Sequence, residues 1–476
     1  MADRADTEAG GCYSLSALDT AFVYHETDQA TQATVNVYFL DTARLGDDQM
    51  SRPELCRWIG DRLAQAPILT HRLRRWPFEI DSPAWVLATD FDLGEHVFVS
   101  EVKGNGWEPL RGRLAGIAAR RLDLGKAPWE VHLLHGIRGV DGLPDGASAL
   151  AVKIHHSACD GIGGADVARV LLDSRVEGDP LGMPGVGTAR RSLRNALTSV
   201  PHQWRDYTEA KKRLAKLRVD AQAAVEAGEV VAPQPTRPRT RFNGKLSSGR
   251  GIAVVTFDMA EVRDVRTAVG DVTVNDVMLA VVAGALREYL IKERELPEDS
   301  LAAMVPKSMR GLRSSGSANN FTPMIVDLHT DVEDPVLRLK AINDSVRSEK
   351  ARKELSPFVE SMDCAAATPA WVARSAAWLE RRSRPAATTV QLSNTTVSNY
   401  MREAPGLALG DATVVAISCL PLLDRGMALS HMIASIGESL TLTVSADLAA
   451  MPDVDRYAGL LADAFAQFGG SAEVLK

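Results

Sequence analysis

The densest chemistry in the chain lies in one run: His155, His156, Ser157, Ala158, Cys159, Asp160 and Gly161. A neutral imidazole can take a proton from an attacking hydroxyl or amine and return one to a leaving group, and its unperturbed pKa of about 6.5 suits both transfers near neutrality. Successive side chains of a strand point to opposite sides. Of two adjacent strand-end histidines, at most one therefore faces a channel, while the other packs or hydrogen-bonds. Asp160, four residues after His156 and followed by Gly161, suits a tight turn whose loop is fixed by a carboxylate. Metal chemistry is not expected, because adjacent histidines from one strand end do not converge on one ion and no second cluster completes a tetrahedral site. Cys159 beside the motif could act as a thiol nucleophile. A small buried structural cysteine is the favoured reading.

These residues need a strand before them and a helix after them. Residues 148–154 (SALAVKI) form a short apolar run of the kind buried on both faces of a sheet. A helical pattern begins after Gly163 and Gly164 with ADVARVLLDS. The motif thus sits at the carboxyl end of a strand, where open α/β sheets place their sites. Around it, strands are expected at 33–40, 85–88 and 96–102, and helices at 53–64 and 110–122.

From about residue 176 to 249 the composition changes. Gly, Pro and charge dominate both ends, while the middle is helical, with Leu193, Leu197, Val200, Trp204 and Tyr207 at spacings of three and four. Between Arg190 and Arg218 lie nine basic residues against only Asp206 and Glu209. This segment reads as a basic interdomain crossover, either a solvated helix face or a surface for anionic lipid or a carrier. Trp371 and Trp378, one heptad apart before Arg381, Arg382 and Arg384, mark a second candidate interfacial helix, for which core packing is the favoured reading. A second α/β pattern follows: strands at 252–257, 301–305, 322–328, 391–399, 412–420 and 440–446, and helices at 274–291, 335–350 and 454–468. The expected division is 1–175, 176–249 and 250–476.

The 476 residues are long enough for two or three domains with a core that needs no disulfide or metal. Hydrophobic residues at 45% and charged residues at 24% exclude disordered and fibrous classes. The 54 Lys and Arg against 61 Asp and Glu give a net charge of -7, which argues against general nucleic-acid binding. Five scattered cysteines without a C-x-x-C pair suggest reduced cytosolic thiols. The polar N-terminus lacks a signal-peptide core, and no run reaches the roughly 18 apolar residues of a membrane span. The expected location is cytoplasmic, with any contact to the inner membrane or lipid inclusions peripheral.

His155 to Gly161 resembles the HHxxxDG motif of the coenzyme A-dependent acyltransferase superfamily, which includes chloramphenicol acetyltransferase, carnitine acyltransferases and condensation domains. The wider resemblance is to the bacterial wax ester synthase/acyl-CoA:diacylglycerol acyltransferase family and covers almost the whole chain. It is carried by SLSALDTAF from Ser14, Trp85 with DFDL from Asp90, VTVNDVMLAVVAGALREYL from Val272 and PKSMR from Pro306. DPVLRL from Asp334 and the ending with Asp447 and Pro452-Asp453 complete the series. Three blocks depart from the family pattern: Ala127-Pro128-Trp129 for Pro-Leu-Trp, Asn399-Tyr400-Met401 followed by Ala404-Pro405-Gly406 for Asn-Val-Pro-Gly-Pro, and Ser435-Ile436 for Ser-Tyr.

The resemblance implies an α/β fold of two chloramphenicol-acetyltransferase-like domains with the active-site channel between them, the last strands reaching across to the first domain. It implies that His156 is the base, that His155 is support, and that Asp160 orients the loop by pairing with an arginine the sequence does not identify. Asn275, at a helix start, is the candidate donor to the oxyanion, with helix capping as its alternative. Asp276 is read as a first-turn carboxylate. Ser308 and Arg310 are candidates for contacting coenzyme A, and Arg310 is equally suited to holding a loop. The implied reaction moves a fatty acyl group from acyl-CoA to a fatty alcohol or diacylglycerol hydroxyl, with no cofactor beyond the thioester substrate. Two alternatives stay open. One is a specialised acyl or amide-forming transferase with an acyl-CoA or acyl carrier protein donor, which the three altered blocks favour. The other is a non-catalytic protein binding a membrane or lipid-droplet surface.

Overall fold

The computed structural model describes residues 11–43, 49–172, 179–185, 192–229, 232, 237–310, 316–354, 356–382 and 392–472. The first half runs β1 (Tyr13–Ser14), α1 (Ala17–His25), β2 (Ala33–Asp41), α2 (Arg52–Gly60), β3 (His71–Arg74), β4 (Ala84–Leu87), β5 (Val97–Glu101), α3 (Trp107–Ala119), β6 (Trp129–Ile137), β7 (Ala147–His155) and α4 (Gly161–Leu172). A 34-residue helix, α5 (Leu193–Glu226), follows with Pro201 inside it. The second half runs β8 (Arg250–Asp258), α6 (Met259–Val269), α7 (Val274–Glu293), β9 (Ala302–Ser308), β10 (Phe321–Asp327), α8 (Pro335–Glu354), α9 (Ser356–Ala366) and α10 (Ala370–Arg382). It closes with β11 (Thr395–Glu403), β12 (Ala408–Leu409), β13 (Ala412–Leu420), β14 (Leu429–Ile436), β15 (Ser439–Asp447) and α11 (Val454–Ala472).

Two six-stranded sheets form, in the orders β12-β13-β2-β7-β6-β5 and β10-β9-β11-β14-β15-β8. The strand that ends in the histidines is β7, central in the first sheet and buried along its whole length. Its pleat explains the apolar run. Ala149 and Ala151 pack with Val35, Val37 and Leu110, Leu114 and Ile117 of α3. Leu150, Val152 and Ile154 pack on the other face with Ala165, Ala168 and Leu171 of α4. Both faces being covered, the sequence shows no polar alternation. The exception is Lys153, fully buried on the α3 face, whose Nζ donates to the carbonyls of Ile117 (2.7 Å) and Arg120 at the carboxyl end of that helix. A cation there meets the negative end of the helix dipole. Burial still pulls the lysine down to about 8, against the opposing charge of Glu130.

The second half folds around α7, whose middle turns are apolar on every side and fully buried. Strands β12 and β13 leave this half and extend the first sheet by pairing β13 with β2. A chain ended at residue 175 would therefore lack two of that sheet's six strands. Among the described residues no single helix is long and apolar enough to cross a membrane; α6 and α7 pass such a test only as a pair bent by 94°, and α7 is buried. None of the five cysteines forms a disulfide.

Candidate active site

His155 ends β7 and α4 opens at Gly161, so the histidines and the loop occupy the strand's carboxyl end, as expected from the sequence. Asp160 organises the turn. Its Oδ1 accepts the Gly163 amide at 2.9 Å, capping α4, and its own carbonyl accepts the Gly164 amide. Both carboxylate oxygens also meet Arg310 Nη2, at 2.9 and 3.0 Å. Arg310 is thus the arginine that the sequence left unidentified. It clamps the histidine loop to the strand end of the other half. Of its two expected roles, the structure displays the loop-holding one.

The two histidines diverge as the pleat requires. His155 is fully buried, and its backbone amide donates to the Pro128 carbonyl. Its Nδ1 accepts the Ser157 amide at 3.2 Å and lies 2.6 Å from Ser157 Oγ, while Nε2 lies 3.7 Å from Glu26 Oε1. An Nδ1 that accepts places the proton on Nε2, toward the carboxylate. Arg121 holds the other oxygen of Glu26 at 3.0 Å. Burial pushes the Glu26 carboxyl up, but His155 and Arg121 outweigh it and hold the group below its ordinary value.

His156 lies on the other side. Its backbone is pinned twice: the amide donates to Gln32 O at 2.7 Å, and the carbonyl accepts Asn319 Nδ2 at 2.6 Å. Its ring stacks on Phe22 at 4.3 Å with 7° between planes. Burial keeps the imidazole below its usual pKa, and the charge of Asp160 only partly opposes this. The ring is therefore neutral around pH 7, the form that can accept a proton.

His156 lines a cavity of about 420 Å³ between the two halves. One side carries Phe22, Gln32, Thr34, Gly161 and Ile162; the other carries Met304, Pro306, Ser308, Phe321, Thr396, Ser398, Asn399 and Met432. An apolar lining with a few placed hydroxyls and amides is the usual make-up of a site for a small or chain-like ligand.

Of the expected residues, the fold brings His156, Asp160, Gly161 and Ser308 to this cavity, with Arg310 behind Asp160 and His155 beneath the loop. Asn275 is not among the lining residues. It stands in the first turn of α7, where Thr273 is the N-cap, and the Asp276 carboxylate is held by Thr273 and Asn343. At that helix end Thr273 is exposed and Asn275 half-buried, outside the set of residues that line the cavity. Cys159 is buried, does not line the cavity, and has its thiol pushed up by burial. Trp129 of the altered Ala127-Pro128-Trp129 block is buried and donates to Leu69 O, a framework role. Asn399 of the second altered block lines the cavity.

Three contributors were not read from the sequence: Glu26, Asn319 and Asp19. Asp19 is 1% exposed and accepts from Ser16 Oγ, Ser317 Oγ, the amides of Ala318 and Asn319, and Asn319 Nδ2. The Ser16-x-x-Asp19 spacing was a visible helix-start signal, and the 300 residues to Asn319 were not bridgeable from it.

Comparison with known proteins places this arrangement. The wax ester synthase/diacylglycerol acyltransferase catalytic-domain family model matches residues 15–278, and the model of that family's C-terminal domain matches residues 317–468. The chain belongs to the wax ester synthase/diacylglycerol acyltransferase family. A protein of Mycobacterium tuberculosis named as a probable diacylglycerol O-acyltransferase is 30% identical over 311 residues, a match spanning 62% of this chain and 62% of that protein. The chain thus matches less than two thirds of that relative's length. A second protein of that bacterium, named for the same activity, is 28% identical over 392 residues, covering 78% of this chain and 81% of its own. Among solved structures, the wax ester synthase/diacylglycerol acyltransferase of Marinobacter aquaeolei VT8 superposes with a TM-score of 0.66 at 23% identity, covering 97% of this chain and all of that one. The starter condensation domain of rhizomide synthetase does so at 0.53 and 12% identity, over 96% and 95% of the two chains. At those identities the likeness concerns the fold, which is the two-domain α/β architecture that the HHxxxDG resemblance implied.

Proposed function

We propose that this chain is an O-acyltransferase that moves a fatty acyl group from acyl-CoA to the hydroxyl of a fatty alcohol or diacylglycerol. The observation that carries the reading is His156: a neutral ring at the wall of a largely apolar interdomain cavity, on a loop whose one carboxylate is turned to Arg310. The acceptor hydroxyl gives its proton to His156 as its oxygen attacks the thioester carbonyl. The tetrahedral intermediate then collapses, and the same proton goes to the departing thiolate. No acyl-enzyme is needed, in keeping with a Cys159 that lies off the cavity. In place of Asn275, the hydroxyls of Thr396 and Ser398 on β11 are our candidates for the oxyanion donors. Presenting purified protein with a panel of acyl-CoA donors and alcohol, diacylglycerol and amine acceptors, with products read by mass spectrometry, tests the assignment. An ester product is expected.

A second reading, an amide-forming or carrier-protein-dependent transferase, is favoured by one observation: Asn399, in a block that departs from the family pattern, lines the cavity, as does Asp424. An amide product, or turnover only with a carrier-bound donor, would select it.

The location we propose is cytoplasmic with peripheral contact to a membrane or lipid inclusion. Leu197 and Trp204 of α5 and Trp378 and Leu379 of α10 are exposed, and Trp204 stacks on Trp371 at 5.6 Å, joining the two helices. The core packing expected for Trp378 does not occur; Arg382 lies over its ring. Arg384 lies outside the described residues. Of the basic residues on α5, Arg213 pairs with Glu360, while Lys212 and Lys216 are exposed. Replacing Arg205, Lys211, Lys212, Arg213 and Lys216 together with Gln should weaken binding to anionic vesicles and flatten its salt dependence.

A further inference from the structure

The proposed reaction requires His156 to present an unprotonated nitrogen to the acceptor. Its Nδ1 is buried and makes no hydrogen bond among the described residues. Nε2 is therefore the nitrogen that can meet a substrate, and it can do so as a base only if the resting proton sits on Nδ1. Some group must hold that proton in place.

Asn319 has the matching deficit. Its Oδ1 is also buried without a partner among the described residues. Its nitrogen, by contrast, is fully engaged: Nδ2 donates to Asp19 Oδ1 at 2.8 Å and to the His156 carbonyl at 2.6 Å. An amide nitrogen has two protons, and both are used. Flipping the amide would set its oxygen against a carboxylate and a carbonyl, so the orientation is determined by its partners. Asp19 cannot swing away, since Ser16, Ser317 and the amides of Ala318 and Asn319 hold it as well.

We propose that Asn319 is the positioning residue of the catalytic histidine: its Oδ1 takes the Nδ1 proton of His156, Asp19 locks the amide, and Nε2 is left with its lone pair toward the cavity. The pairing is not closed in this structure, and contacts of this kind in acid–base sites tighten when substrate binds. The charged and titratable groups around the ring are consistent with it. Burial disfavours the imidazolium most; Asp160, Asn319 and, least of all, the histidine's own backbone carbonyl favour it, and His155 opposes it. Arg310 is drawn off by Asp160, and Asp19 is taken up by its donors.

The inference rests on His156 being the base but not on which acceptor is used, and its test is chosen to match. Nitrogen-15 NMR of histidine-labelled protein near pH 8, about 1.5 units above an unperturbed imidazole, reads the tautomer directly, with His156→Ala assigning the signal. The wild type should show a protonated Nδ1 and a bare Nε2. Asn319→Ala should show the Nε2–H form or a mixture, with kcat lowered about 10-fold or more, the KM for acyl-CoA little changed, and the acid limb of kcat/KM moved to lower pH. Asn319→Ser, whose hydroxyl can still donate to Asp19, serves if a thermal melt shows the alanine variant unfolded. A retained Nδ1–H tautomer in a folded variant would overturn the proposal and give the role to the histidine's own carbonyl. A wild type already in the Nε2–H form would overturn it too. If the wild type transferred no acyl group, the activity reading would fail while the tautomer result still stood.

Discussion

The two sides of the end of β7 are built on opposite principles. On the α3 side, Lys153 and His155 are buried among partners: carbonyls for the lysine, and Ser157, Glu26 and Arg121 around the histidine. On the cavity side, His156 has an aromatic ring against its face, two backbone anchors, and no side-chain hydrogen bond on Nδ1 among the described residues. Buried polar groups are normally satisfied. Adjacent residues of one type therefore separate by what surrounds them. On the α3 side His155 Nε2 makes no hydrogen bond among the described residues but faces Glu26 Oε1 at 3.7 Å. That side carries stability, while the cavity side leaves His156 open to a substrate.

The largest effect should follow from His156→Ala, which removes the base while leaving Phe22 and the backbone anchors. Acyl transfer should fall about 100- to 10,000-fold, measured as thiol release with a thermal melt confirming the fold. If His155→Ala gave that loss and His156→Ala did not, the assignment of the two sides would be reversed.

Arg310→Gln should come next, at roughly a 10-fold loss of kcat on the scale of a displaced positioning group. It unclamps the loop and leaves Asp160 uncompensated near His156. A nearby anion favours the imidazolium, so the acid limb of kcat/KM should also move to higher pH. An unchanged limb with intact activity would reduce the clamp to a surface contact.

Glu26→Gln addresses the α3 side and should be read in stability. Loss of a buried carboxylate that serves His155 and Arg121 should cost about 1 to 3 kcal/mol at neutral pH. The folded-state pKa of Glu26 lies below its unfolded value of about 4.5. Its contribution is therefore present above that pH and disappears as pH falls through the folded pKa. Denaturation curves of wild type and variant should converge in acid, and a gap that stays constant down to pH 3 would show that the charge is not the stabilising element. Smallest of all should be Cys159→Ala, with most activity kept. A thioester trapped on Cys159 by acyl-CoA alone would replace direct transfer with a covalent route.

How much of this the sequence displays follows from the distances involved. The buried strand, the histidine pair, the capping aspartate and the long helix α7 are local patterns, and each was legible within a window of a dozen residues. Arg310 stands out through the PKSMR block as suited to holding a loop, but its pairing with Asp160, 150 residues away, is not readable locally, and nothing local distinguishes Asn319, 300 residues from Asp19. Strands β6 and β14 were missed. In β6 the apolar run is broken by Glu130, His132 and His135, polar residues that the tertiary structure satisfies through Arg120, Ser148 and Met50 O. Asn275 illustrates the reverse. A helix-start asparagine was readable as a possible donor, but where that helix end points is decided by the packing of α7 in the core.

The central claim, that a neutral cavity-facing His156 is the general base, is tested most directly by the pH profile of kcat/KM for wild-type protein with a saturating alcohol acceptor. The midpoint of the acid limb should lie below the ordinary imidazole value of about 6.5, because burial holds the ring neutral. A profile still rising through pH 7, with a limb above about 7 that persists in His156→Ala, would contradict it.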